Sequence, residues 1–433
     1  MPLCVLCASV VIFLMLERTM AQFKLRCSEC GGVFSEDPKL LVCPECCKQQ
    51  VQGGSLRGVL EVEILDGPTQ WPDAPLGSPD FLQQVLPLGD PSLLAPLAVG
   101  NTPLLDVPRL RRELEMPRLW LKDDSRNPSG STKDRASLLV AAKAAEYGFE
   151  TIATASTGNA ATALAAVCAA SGQRAVVLVP AGAPPAKLTQ MLAYGAEVVP
   201  IDGSYDDAFE LCMEACTKFG WYNRNTALNP FTLEGKKTLA LEIARQLAPE
   251  TPDAIIIPTG DGVILGGIAK GFADLAAWGL IDRVPRLIAV QPQGASGLIS
   301  ALASGAEDVT PVPGAASIAD SLVVEAPRNA RLALRRIRQS GGGGVTVSDE
   351  TIIAAIARLA RLTGVFAEPA AAASLAGLEA ALKAGLVDKD ERVVLLVTGT
   401  GLKDRDAAAR SVTMPSAVRP ELSHLAERLG LVR

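Results

Sequence analysis

Histidine is almost missing from this 433-residue chain: His424, near the C-terminus, is the only one. That scarcity excludes HExxH zinc hydrolysis, Ser-His-Asp triads and Cys-His dyads, which all need imidazole at the reacting centre. An enzyme built from this sequence must move protons with another group, and lysine is the first candidate. An excess of positive charge is missing too. Lys and Arg total 41 against 47 Asp and Glu, with no basic stripe, so nucleic acid is not an expected partner. The apolar run at residues 2–16 is shorter than the roughly 20 residues of a membrane span. It also lacks the basic leader and small-residue cleavage site of a secretory signal. Residues 1–19 are therefore read as a start extension ahead of Met20, with an apolar leader as the alternative and no membrane partner. What the chain has in quantity is apolar material. Hydrophobic residues are 48% against 20% charged, and the length predicts two or three structural units.

Four of ten cysteines stand as Cys27-Ser-Glu-Cys30 and Cys43-Pro-Glu-Cys46. Two CxxC knuckles twelve residues apart match a tetrathiolate zinc ribbon, placed at 20–55, with Zn2+ in a structural role. Redox CxxC motifs or disulfides are the alternative, but the stretch lacks the βα unit of a thioredoxin-type site and the chain lacks a secretory context. Cys47 is a spare thiol beside the fourth ligand. Cys168, Cys212 and Cys216 fall in helical apolar stretches and read as small buried hydrophobes. A reducing, cytoplasmic location is expected.

Residues 56–95 are rich in Gly, Pro and Asp and read as linker and irregular structure. From about residue 96 the pattern changes. Apolar runs at Ile152–Ala155, Val176–Val179, Val198–Ile201, Ile255–Ile257, Leu287–Val290 and Val393–Val397 alternate with Ala/Leu-rich helices. Two such helices are predicted at 159–171, ended by Gly172, and at 351–362, opened by Ser348-Asp349-Glu350. Strands apolar throughout, separated by helices, predict an α/β fold with parallel sheets covered on both faces. More than 300 residues of this kind predict two parallel-sheet layers with a cleft between them. Residues 413–433 read as a C-terminal tail or helix.

Chemistry concentrates in a few loops. In Asn127-Pro-Ser-Gly-Ser-Thr-Lys133-Asp-Arg135 a tight turn feeds a helix, so Lys133 lies at the helix's positive end. That position disfavours the ammonium form and helps a neutral amine attack an aldehyde. Ser156-Thr157-Gly158-Asn159 and Thr259-Gly260-Asp261-Gly262-Val263-Ile264 each follow a strand and open a helix, the arrangement that cradles an anion. Neither is the dinucleotide fingerprint, and Gly235-Lys236-Lys237-Thr238 lacks the upstream glycine of a Walker loop. Gly341–Gly344 follows a basic helix and precedes a strand, which makes it a helix stop.

Taken in order, GNTPL (100–104), NPSGSTKDR (127–135), ASTGN (155–159), IDGSYDD (201–207), NPFTLEGKKT (229–238), GVFAEPAAAAS (364–374) and VTGTGLKD (397–404) resemble the threonine synthases. These lie within fold type II of the pyridoxal 5'-phosphate (PLP) enzymes, which includes serine/threonine dehydratases. The resemblance covers about residues 96–412, and a zinc ribbon like this one precedes some members. It implies a tryptophan synthase beta-like fold, with a smaller subdomain at about 134–230 inserted in the larger, and a homodimer. It also implies that Lys133 carries PLP and relays protons at Cα and Cβ, and that Asn159 bonds the cofactor's phenolic oxygen. The backbone of Gly260, Asp261, Gly262, Val263 and Ile264 would hold its phosphate, Thr398 would face the pyridine nitrogen, and Ser156 and Thr157 would meet the substrate carboxylate. A hydroxyl at that nitrogen makes a weaker electron sink than a carboxylate does, which favours elimination and replacement over transamination.

The implied reaction converts O-phosphohomoserine and water to threonine and phosphate. Three departures bear on recognition of the substrate phosphate: Ala160 for threonine, Ala227 and Thr232 for serine and arginine, and, in the cofactor loop, GDGVI for GNAGN, where Asp261 would repel a second phosphate. Losing a bidentate arginine forfeits a charge-assisted pair worth about 1.5–3 kcal/mol. Lys187, Lys236 and Arg135 are possible substitutes. An ammonia-lyase or β-replacement enzyme on an unphosphorylated small amino acid is the alternative. A non-catalytic zinc-ribbon binding protein is the alternative of another class.

Overall fold

A computed structural model describes residues 22–51 and 53–431. The expected extension at 1–19 lies outside the described residues. Strands β1 (Phe23–Cys27), β2 (Val33–Phe34) and β3 (Leu60–Ile64) form an antiparallel sheet in the order β2-β1-β3. Part of 56–95, expected to be linker, is thus a structured element, and Leu60 to Ile64 pair in full register with Cys27 to Phe23. The reason is alternation: in LEVEI, Leu60 and Val62 are buried while Glu61 and Glu63 lie on the other face of the strand. The same stretch also holds a helix, Pro79–Val85, capped by Ser78.

The body begins with β4 (Leu104–Asp106) and β5 (Leu119–Asp123). The chain then builds a separate four-stranded parallel sheet from β6 (Thr151–Ala155), β7 (Arg174–Pro180), β8 (Glu197–Ile201) and β9 (Tyr222–Asn223), ordered β8-β7-β6-β9. It returns with β10 (Ala254–Pro258), β11 (Arg286–Pro292), β12 (Gly343–Val347) and β13 (Val393–Val397). These join the first two in the order β12-β11-β10-β13-β5-β4, parallel except for the edge pair β4–β5. Two parallel-sheet layers result, and each expected apolar run lies in a strand. β10 and β13 are buried along their whole length, so both faces of the large sheet are covered.

Helix ends follow local chemistry. The helix Asn159–Ser171 stops at Gly172 in the left-handed region, and Asp349–Thr363 opens on Ser348, whose side chain accepts from Thr351 N–H. Gly341 and Gly342 separate the helix Ala330–Gln339 from β12, while Gly343 and Gly344 are the strand's first residues. Among the described residues no helix is long and apolar enough to cross a membrane.

Candidate active site

In the large sheet β10, β13 and β5 are neighbours, and the loops leaving their carboxyl ends meet in one cleft, the place where open α/β sheets bind ligands. After β5 the turn 127–132 leads to Lys133, first residue of the helix Lys133–Glu146. The turn is laced to the end of β13: Thr132 N–H donates to Thr398 O at 2.9 Å and Thr400 N–H to Gly130 O at 3.0 Å. Two segments far apart in the chain therefore hold Lys133 and Thr398 beside one another. Both line the cleft with Gly260, Asp261, Gly262, Val263 and Ile264.

The glycine loop leaves β10 and starts the helix Val263–Ala277. Gly262 caps that helix at φ +88°, a conformation L side chains rarely adopt. A Cβ at Gly260 would stand 2.9 Å from Ser321 O. The bare backbone thus approaches the cleft with its N–H groups and helix dipole, a cradle suited to a phosphate. Asp261 turns its carboxylate away, accepting from Arg328 N–H at 2.6 Å. Burial pushes the Lys133 amine below its ordinary range, with Glu368 opposing and Arg224 reinforcing. An amine so depressed is the form that attacks an aldehyde. The residues present fit PLP: an amine with lowered basicity, an anion cradle and a buried hydroxyl at Thr398.

Asn159, Ser156 and Thr157 come from the other sheet, at the turn after β6. Asn159 is buried, and its Nδ2 donates to both carboxylate oxygens of Glu368 at 3.0 and 3.1 Å. Ser156 Oγ accepts from Gly158 N–H at 3.2 Å. None of these three is in the lining shared by Lys133 and the glycine loop. Sequence reasoning missed Glu368. It is buried at the start of the helix Pro369–Lys383, lies close enough to Lys133 for each charge to feel the other, and is pushed up by burial. The segment 364–374 is one of the sequence motifs, yet nothing in it signals a partner 209 residues away.

Of the possible substitutes for the missing arginine, Arg135 is fully engaged, bonded to Asp124 and Glu242 at 2.7 and 2.6 Å. Lys187 pairs with Asp320 at 2.7 Å. Lys236 lines the cleft.

In the ribbon, Cys27, Cys30, Cys43 and Cys46 bring their sulfurs within 4.8 Å of one another. The Cys27–Cys46 and Cys30–Cys43 separations are 3.7 Å. A tetrahedron with Zn–S bonds of about 2.3 Å has edges of about 3.8 Å. Glu29 N–H and Gly32 N–H point at the sulfurs of Cys27 and Cys30, as thiolates require. Cys47 Sγ is turned to Pro44 O. Cys168, Cys212 and Cys216 are buried.

A two-sheet α/β body in which a lysine, a glycine loop and a hydroxyl converge at strand ends is the architecture of a fold-type II PLP enzyme. Residues 95–399 match the family described as pyridoxal-phosphate dependent enzymes. The chain is 37% identical to the threonine synthase of Methanocaldococcus jannaschii over 92% of this chain and 98% of that protein. It is 35% identical to the threonine synthase of Mycobacterium leprae over 80% and 94%. Among solved structures, the T.th. threonine deaminase aligns with a TM-score of 0.60 at 26% identity, covering 71% of this chain and 94% of that one. Processed threonine deaminase isoform 2 from Solanum lycopersicum aligns at 0.62 and 23%, over 72% and 87%, a likeness of fold. The chain belongs to the threonine synthase family of PLP-dependent enzymes.

Proposed function

We propose that this protein converts O-phosphohomoserine and water to threonine and phosphate. The observation that carries the reading is the convergence of Lys133, Thr398 and the 260–264 loop in one cleft. PLP bound there supplies the electron sink for charge developing at the substrate's Cα. Lys133 holds the cofactor and then, as a free amine, takes the Cα proton and relays protons through Cβ. As Cβ gives up a proton, phosphate leaves Cγ, and Lys133 returns a proton to Cγ. Water adds its hydroxyl at Cβ while its other proton goes to the departing phosphate, and the Cα proton is put back. Thr398 would face the pyridine nitrogen of bound PLP, and a hydroxyl there would not hold that nitrogen protonated as a carboxylate does. The backbone N–H groups of Gly260 to Ile264 would hold the cofactor phosphate, and Asn159 would hydrogen-bond its phenolic oxygen. Ser156 and Thr157 hold the substrate carboxylate.

Steady-state assays should show phosphate and threonine formed together from O-phosphohomoserine. Release of pyruvate from serine or 2-oxobutanoate from threonine, with none from O-phosphohomoserine, overturns the reading in favour of an ammonia-lyase. That second reading has its own support in Ala160 and Thr232, which stand where the family pattern has threonine and arginine. Lys133→Ala should abolish turnover and the visible absorbance of protein-bound PLP.

The four ribbon cysteines hold a structural Zn2+ in this reading. The protein works as a cytoplasmic homodimer on a small amino acid, with no nucleic-acid or membrane partner.

A further inference from the structure

Buried positive charge in this molecule falls into two kinds. The described residues bury seven Lys and Arg side chains: Lys122, Arg135, Lys143, Arg224, Lys236, Lys237 and Lys270. Five have carboxylate partners. Lys122 and Arg135 meet Glu242, Lys143 meets Glu36 and Glu146, and Lys237 and Lys270 meet Asp274. Arg224 and Lys236 have none within ion-pair distance among the described residues. Arg224 is fully buried and bonds only hydroxyls, Ser137 Oγ at 3.3 Å and Thr226 Oγ1 at 2.9 Å, and its Nη2 has no partner. Lys236 is 2% exposed, and its Nζ donates to Thr232 O, a carbonyl of its own helix, at 2.9 Å. Thr226 and Lys236 both line the cleft beside the 260–264 loop.

A buried ion without a counterion is strongly unfavourable, and a fold that pairs five of seven does not leave two bare by accident. The acid on the loop, Asp261, accepts from the Arg328 backbone and lies near enough to Lys236 for the two charges to feel each other, but the two form no ion pair. Burial depresses both groups, Arg224 to about 10 and Lys236 well below its ordinary range. A compact anionic ligand able to accept several hydrogen bonds would supply the missing partner.

We propose that Lys236, backed by Arg224 through Thr226, is a cationic contact for a phosphate bound in the cleft beside the Gly260–Ile264 loop. The inference rests on the reading that a phosphate-bearing cofactor or substrate occupies this cleft. The phosphate belongs either to PLP or to the amino-acid substrate.

Lys236→Gln keeps a donor for Thr232 O and removes the charge, and Lys236→Arg keeps the charge. In the full-length protein, apo and loaded, three quantities are read: the apo melting temperature, the affinities for PLP and for phosphate-free pyridoxal, and competitive inhibition by inorganic phosphate. If PLP supplies the phosphate, Lys236→Gln weakens PLP binding about tenfold or more and leaves pyridoxal unchanged. If the substrate supplies it, PLP affinity holds and the inhibition constant for inorganic phosphate rises by a similar factor. In both cases the apo variant melts no lower than the parent, and Lys236→Arg restores most of the affinity. Affinities for PLP and inorganic phosphate both within twofold of the parent overturn the proposal, and a lower apo melting temperature with them marks a purely structural lysine. Lost phosphate affinity in a protein that releases no phosphate from O-phosphohomoserine keeps this site and overturns the proposed reaction.

Discussion

Two buried charge clusters in the same body obey opposite rules. Behind the lysine helix, Lys122 and Arg135 face Asp124 and Glu242, every charge has an opposite within 2.7 Å, and Thr102 and Gln246 complete the hydrogen bonding. This cluster ties β5, the lysine helix and the helix Thr238–Leu247 together. It is closed, and it has no capacity left for a ligand. At the cleft, Lys236 and, behind Thr226, Arg224 are as deeply buried but bond only neutral oxygens. Neutralised charge builds architecture, and charge left open marks where something binds.

The sharpest way to break this comparison is to remove one cation from each side. Arg135→Met leaves Asp124 buried without an ion-pair partner and Glu242 with Lys122 alone, which should cost about 3–5 kcal/mol in denaturant unfolding. The uncharged change at Lys236 should cost nothing in the apo protein. Equal losses at both positions would erase the distinction.

Acid and base separate the clusters at a smaller scale. Burial works against the Asp124 carboxylate, but Arg135 outweighs it and holds the group down at about 2. A carboxyl lowered in the folded state stabilises above its unfolded value and loses that contribution as pH falls. The network should therefore weaken between about pH 4 and 2, by on the order of 2 kcal/mol. Arg224 and Lys236 are lowered bases, so the unfolded chain binds more protons over their range. Apo stability should accordingly rise as pH climbs towards their unfolded values. Urea unfolding of the apo protein across pH reads both limbs, and a flat alkaline limb would mean that Arg224 and Lys236 are better solvated than the cleft suggests.

Much of this is legible without coordinates. The strands stand out because buried parallel strands are apolar throughout, as in Ala254–Pro258, and helix ends stand out because Ser348 and Gly172 are chemically specific stops. Lys133 is legible for a local reason, a Pro-Ser-Gly turn feeding a helix. The charge pattern is not legible, because whether Lys236 is paired depends on what does not approach it. Nor is Glu368, whose partner Asn159 follows a strand of the other sheet. β3 is hidden for a third reason: five alternating residues inside a Gly/Pro-rich stretch carry too weak a period to outweigh the turn signals around them.

The smallest effect concerns the ribbon, which the sequence alone would set apart from the chemistry. Its third strand packs against the helix Pro230–Lys236. Just before that strand, Val59 shares a core cluster with Ala227, Leu233, Val263 and Leu332. Val263 belongs to the 260–264 loop, and Leu233 lies on the helix that ends at Lys236, so the ribbon's inner face backs the open charge cluster. Glu29 clasps Arg57 and Arg331 at 2.7 and 3.2 Å, and Glu61 meets Arg336 at 2.6 Å, fixing the ribbon on the body. Cys43 stands against Gly58, where a Cβ would approach its backbone nitrogen to 3.1 Å. A change at the metal knuckle is therefore felt at Val59, which joins Gly58 to the buried Leu60 of the strand. From the sequence, replacing Cys27 or Cys43 is expected to release zinc and lower stability with limited effect on cofactor binding. The packing refines this: Cys43→Ser should also weaken PLP affinity about two- to fivefold, a coupling of about 0.5–1 kcal/mol. Metal analysis and a PLP absorbance titration on the same sample check it. Zinc loss with unchanged PLP affinity would show the two regions to be energetically independent despite their contact, and full zinc retention would remove the cysteine cluster as a metal site.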